Sequence, residues 1–226
     1  MSDKAAAELI GTAILLFTIQ VSVWENAALA PLAIGFILVA IVFAAGPISG
    51  AHFNPAVSLA FAMRGEMSVS EMITYWAAQL IGGIIGGLCG GIVASSYATV
   101  SVGVGATLTQ ALLAEVVFTF ILCFVVLCVA TNTKVENNNY YGLAIGLVVL
   151  SGAISVGGIS GGAFNPAVAL GLSITSGMSK LFYALLVSVA NLLGGIMAVA
   201  CFRVVLPSEF EAGGTVGETA PLRGNP

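Results

Sequence analysis

The chain has 226 residues, of which 59% are hydrophobic and only 7% charged, with a mean hydropathy of +1.09 and a formal net charge of -4. A chain of this size cannot hide so much apolar surface inside a soluble globule, so a lipid bilayer is the solvent it is built for. The small acidic excess and the lack of any basic stripe exclude nucleic acid as a partner.

About 20 apolar residues, each rising about 1.5 Å, cross a ~30 Å hydrocarbon core. The first such run, 5–23, follows a single Lys4 and carries Glu8. With no cleavage signature it reads as a span and not as a leader. A second span covers 30–46. Next comes ISGAHFNPAVSLAF, Ile48 to Phe61, whose apolar piece at 53–63 is half a membrane thick. The third span, 72–94, holds two rows of small residues, Gly82, Gly86 and Gly90 beside Gly83, Gly87 and Gly91, which let helices approach closely. Spans at 107–130, with Glu115, and at 140–157 follow. The motif then returns as ISGGAFNPAVALGL, Ile159 to Leu172, with a second short piece at 164–174. A sixth span at 179–205 ends the apolar part, and the Pro-, Gly- and Glu-bearing tail 207–226 is expected to be disordered. Lys4, Arg64, Lys134, Arg203 and Arg223 fall on the side of the N-terminus and Lys180 alone on the other, which puts both termini in the cytoplasm.

The repetition extends beyond the motif. AELIGTAILLF at 7–17 matches AEVVFTFILCF at 114–124, LAIG at Leu32 recurs at Leu143, and QLIGG at Gln79 is echoed by NLLGG at Asn191. Each half, about 5–100 and 107–205, thus contains three spans and one short piece, in one channel domain over 1–206. Three is odd, so the halves enter the bilayer from opposite faces and form inverted repeats, whose short, broken helices mark the functional site near the midplane.

Each short piece opens on the same tripeptide, Asn54-Pro55-Ala56 and Asn165-Pro166-Ala167. Asn is a good helix N-cap, and Pro at the first helical position lacks only an N–H that would be orphaned anyway. Irregular backbone just before each Asn survives at membrane depth only where protein buries it or a wet cavity satisfies it. Two helix N-termini meeting at mid-bilayer, each carrying about half a positive charge, make a site that repels cations.

With this paired motif in register, the chain resembles the major intrinsic protein family, the aquaporins and aquaglyceroporins, over roughly residues 5 to 205. The resemblance implies an all-α membrane fold of six transmembrane helices plus two re-entrant half-helices. It implies a homotetramer with one pore per protomer that passes water and small neutral solutes without a cofactor. It also implies a selectivity filter at Ile34, Ala153, Gly162 and Val168. Relatives usually carry an aromatic residue at the first of these, water-selective ones tend to carry His at the second, and nearly all carry Arg at the last. A filter of Ile, Ala, Gly and Val has no side-chain donor, no charge and little bulk. Loose size selection is therefore expected, with glycerol, urea or neutral metalloid hydroxides passing, unless Phe164 or Phe36 refills the gap.

His52 matches the family's loop histidine and either pins loop backbone or lines the inner mouth and titrates. Pro47 stands where many relatives have His. Glu8 and Glu115, at matching positions, either relay protons or accept hydrogen bonds from the re-entrant loops. Cys89, Cys123, Cys128 and Cys201 lie in spans without metal spacing and read as reduced core residues. A coupled transporter would need an ion site beyond the two glutamates, an adhesive membrane protein would need a plugged pore, and one His with scattered cysteines supplies no catalytic set. The sequence thus describes a multi-pass channel, expected in the plasma membrane or an organelle membrane, and no enzyme.

Overall fold

The computed structural model describes residues 1–211. Six long apolar helices, α1 (Asp3–Glu25), α2 (Ala30–Ser49), α4 (Val69–Ala94), α5 (Leu108–Ala130), α6 (Tyr141–Ser160) and α8 (Leu181–Val205), are each long enough to cross a membrane. Two ten-residue helices, α3 (Pro55–Arg64) and α7 (Pro166–Thr175), follow α2 and α6 and are too short to do so. The starts obey local chemistry. Ser2 and Ser68 cap α1 and α4, and Thr107 forms a capping box with Gln110 on α5. The Ser68 cap is why α4 begins before the apolar run at residue 72.

Helix α2 runs on through Pro47 to Ser49, past the end of its apolar run at residue 46. Proline in the last turn forfeits a single backbone bond, a loss that a helix end tolerates. Gly50 and Gly161 then close α2 and α6 in the left-handed conformation, where a Cβ would be strained.

The two glycine rows of α4 face different neighbours. Gly82, Gly86 and Gly90 lie against the backbone of α1, and a methyl at Gly90 would sit 3.0 Å from the Phe17 carbonyl. Gly83, in the other row, faces α7, where a methyl would meet the Ala167 carbonyl at 3.1 Å. In the second repeat Gly194 lies against α5 at the Val116 carbonyl, and Gly195 lies 3.0 Å by the same measure from the Ala56 carbonyl of α3. Each half-helix therefore docks on a long helix of the opposite repeat, and the repeats interlock. Large apolar side chains such as Ile10, Ile73, Ile92, Leu113 and Phe182 face outward, as lipid contact requires.

The expectation of disorder from Pro207 onward does not hold for its first residues. Pro207–Glu211 forms a short helix, α9, whose Glu209 is buried against the Thr133 hydroxyl (2.8 Å) and backbone N–H (3.2 Å) and lies 3.6 Å from the guanidinium of Arg64. Arg64 in turn lies over the rings of Phe202 and Phe210. An apolar seat and a buried cation outweigh the tail's polar composition here. The rest of the tail, with Arg223, lies outside the described residues.

Candidate functional site

The loops that lead into α3 and α7 carry the same backbone in both repeats. Gly50, Ala51 and Phe53 have positive φ, as do Gly161, Gly162 and Phe164. For residues other than glycine this conformation costs on the order of 1–2 kcal/mol each. It is held by one buried carboxylate per loop. Glu8 accepts the Ser49 hydroxyl (2.7 Å) and the His52 N–H (2.9 Å) on Oε1, and the Phe53 N–H (2.7 Å) and the Gln79 amide (2.8 Å) on Oε2. Glu115 accepts the Ser160 hydroxyl (2.7 Å) and the Ala163 N–H (3.0 Å) on one oxygen, and the Phe164 N–H (2.8 Å) and the Asn191 amide (2.8 Å) on the other. Four donors and no acceptor face each carboxylate, an environment that suits the ionised, acceptor-only form.

The tips of the half-helices meet. Asn54 caps α3 by accepting the Ala56 N–H at 2.9 Å, and its amide donates to the Phe164 carbonyl at 2.8 Å. Asn165 caps α7 by accepting the Ala167 N–H at 2.9 Å and donates to the Phe53 carbonyl at 2.8 Å. Each amide nitrogen carries two hydrogens, so one N–H of each Asn remains after this cross-latch. The N-termini of both half-helices, with their partial positive charge, thus converge on one point.

Around that point runs a cavity of about 350 Å³, extending from Val23 and Ala27 near the face opposite the N-terminus to Ala130 and Ile145 near the N-terminal face. Both Asn residues line it, as do Ile34, Ala153, Gly162, Val168 and His52. Pro55, Ala56, Pro166 and Ala167 are buried in the first turns of the half-helices. No Asp, Glu, Lys or Arg lines the cavity among the described residues. Phe36 points outward at 55% exposure and takes no part in lining the cavity beside Val168. Phe164 does line the cavity, but its ring is 1% exposed and packs on Phe118, so it belongs to the wall.

His52 is buried. Its Nδ1 lies 3.1 Å from the Ser58 hydroxyl, and its ring packs on those of Phe61 and Tyr75. Of the four cysteines expected in the core only Cys123 is buried there, since Cys89 on the glycine-rich α4 is exposed and Cys128 and Cys201 are half-buried, and among the described residues no cluster of His, Cys, Asp or Glu could hold a metal ion.

Several supporting residues escaped the reading of the sequence. Gln79 and Asn191, which appear there only as repeat markers, are the side chains that complete the two carboxylate cages. Their buried polar amides at matching places in apolar spans were the available signal. Tyr75 and Tyr183 donate to the Ser49 and Ser160 carbonyls, at 2.7 and 2.8 Å, from positions one helical turn out of register between the repeats. That offset hides their equivalence.

Comparison with known proteins agrees with this geometry. The profile of the major intrinsic protein family matches residues 1–156 and again 140–222. The chain is 32% identical to the glycerol uptake facilitator protein-like 6 of Lactiplantibacillus plantarum, covering 89% of this chain and 97% of that protein. It is 37% identical to maize aquaporin NIP2-1 over 64% of this chain, and it spans 49% of that protein's length and 48% of its rice counterpart's. The solved aquaglyceroporin of Plasmodium falciparum superposes with a TM-score of 0.80 at 24% identity, covering 92% of this chain and 98% of that one, which bears on the fold. The chain belongs to the major intrinsic protein family, a family of membrane channels and not of enzymes.

Proposed function

We propose that this protein is a passive channel for water and for uncharged solutes larger than water, with glycerol, urea and neutral metalloid hydroxides as the candidate class. The observation that carries the reading is the lining of the cavity toward the face opposite the N-terminus. Ile34, Ala153, Gly162 and Val168 line it there, and none of them offers a side-chain donor or a charge. A fixed guanidinium at such a point would select by hydrogen bonding and repel cations, and Val168 does neither. Rejection of cations then falls to the paired tips of α3 and α7 and to the free amide N–H groups of Asn54 and Asn165. Glu8 and Glu115 act as loop holders and not as proton carriers, because four hydrogen-bond donors surround each.

In this reading residues 1–206 form one channel domain, and four copies assemble with one pore each in the plasma membrane or an organelle membrane. Both termini are cytoplasmic, so the neck at Val168 is the outer one and His52 belongs to the inner half. The neutral cavity wall disfavours a coupled transporter, since no ion site lines it among the described residues. Stopped-flow swelling of proteoliposomes tests the proposal directly. Vesicles that respond to water but stay tight to glycerol, urea and boric acid would overturn it.

A further inference from the structure

The wall that α6 presents to the cavity is graded. Ile145, Val149, Ala153, Gly157 and Gly161, every fourth residue, all line it, and their side chains shrink step by step toward the outer mouth. Residues four apart are neighbours on a helix surface, so the first four form a ridge that winds slowly along the passage, and Gly161 follows as the cap of α6. At Gly157 the row loses its last carbon while the helix continues to Ser160.

Glycine inside a helix usually has a packing reason. Gly86, Gly90, Gly146, Gly152 and Gly194 abut neighbours so closely that a methyl would strike backbone or ring atoms. Gly157 has no such reason, because a Cβ built there meets nothing within 4 Å. Its neighbour Gly158 is equally open but also borders a groove with Val156 and Ile159, so it faces the cavity only in part. Glycine is the poorest helix former after proline, and alanine would make a better helix at 157 at no steric cost to the fold. The space beside Gly157 is cavity. Directly beside it lies Gly162, whose own Cβ would lie 3.2 Å from the Gly157 Cα.

We infer that Gly157 is a specificity-determining position, the bare stretch of α6 that keeps the outer neck wide enough for solutes broader than a water molecule. The two touching glycines, Gly157 and Gly162, form a bay that receives the bulk of a branched or planar neutral solute while Ile34 and Val168 supply apolar contact. This deepens the proposed function and rests on it for the solute class, though not for the position of Gly157 on the passage.

The test uses full-length protein in proteoliposomes. Gly157→Ala should lower glycerol and urea permeability by about ten-fold, the scale of one badly placed methyl. Gly157→Val should lower it further. Water flux should fall far less than glycerol flux, so that the glycerol-to-water ratio drops, and the melting temperature should hold or rise, whereas a purely structural glycine would alter stability and leave that ratio unchanged. In Gly157→Cys, a small methanethiosulfonate reagent should block all flux, water included, with the wild type insensitive. If wild-type vesicles exclude glycerol and urea, the proposed solute class fails, and the thiol block alone then decides the position. Unchanged solute ratios in both the Ala and Val variants, or a Cys variant that stays unlabelled or labels without loss of flux, would overturn the inference.

Discussion

Replacing Glu115 by Gln changes one atom and should unmake one re-entrant loop. A carboxamide keeps one acceptor oxygen, enough for the Ser160 hydroxyl and the Ala163 N–H. Its NH2 then faces the Phe164 N–H and the Asn191 amide, both of which are donors. Two charge-assisted bonds at about 1.5–3 kcal/mol each are lost, or roughly 3–6 kcal/mol before relaxation. The left-handed conformation of Phe164, a cost on the order of 1–2 kcal/mol, also loses its main restraint. Against a typical stability of about 5–15 kcal/mol, that is a large fraction. We expect a clear fall in melting temperature in detergent, less folded protein, and lower water flux per protomer without a change in solute preference. Glu8→Gln should behave alike, because its cage repeats the same four donors. A Glu115→Gln protein as stable as wild type but altered in proton conduction would refute the reasoning and make the carboxylate a proton relay.

Other outcomes follow from the same geometry. Val168→Arg places fixed donors and a charge in the cavity wall, and glycerol and urea permeability should drop at least about ten-fold while water continues to pass, read by stopped-flow light scattering. Permeability should be flat between about pH 5.5 and 8, since His52 is buried between Ser58, Phe61 and Tyr75 and a charged imidazolium would have to be desolvated there. A sigmoidal profile centred near neutrality would contradict that. Glu209→Ala strips Arg64 of its buried partner and leaves Glu66 alone at 3.6 Å. Removing one member of a buried pair costs up to about 3–5 kcal/mol, so faster proteolysis in the segment around Thr133 is expected.

The architecture was legible because a bilayer permits few solutions. Every backbone group must be satisfied within the segment, so apolar runs of sufficient length become helices, and an Asn-Pro that opens a run too short to cross becomes a re-entrant tip. The odd number of spans per half gave the inversion. What escaped were contacts between residues far apart in sequence. Nothing local shows that the Asn54 amide reaches the Phe164 carbonyl, 110 positions away, or that Gln79 closes the cage around Glu8. The docking of α9 was hidden for a related reason. Its composition is that of a tail, and only the buried Arg64 beneath it, with the Phe202 and Phe210 rings, makes a helix there worthwhile. The bare wall at Gly157 was invisible too, because sequence alone does not distinguish a glycine that packs from one that leaves space.

Inversion also provides an internal control, since each device occurs twice and any asymmetry stands out. Ile34 has its mate in Ile145 and Val168 in Val57, and all four line the cavity, so these side chains give the two necks equal bulk. The halves part at the loops, where Ala51 and His52 of the first repeat answer to Gly162 and Ala163 of the second. An extra methyl and an entire imidazole therefore occupy the first repeat's half. The imidazole is held back by Ser58 and Phe61, and the methyl is buried with it. Symmetry alone would have given the second repeat's loop the same bulk. The difference in bulk therefore lies in the two loops and not in the long helices before them, where Gly157 of α6 has its own mate in Gly46 of α2.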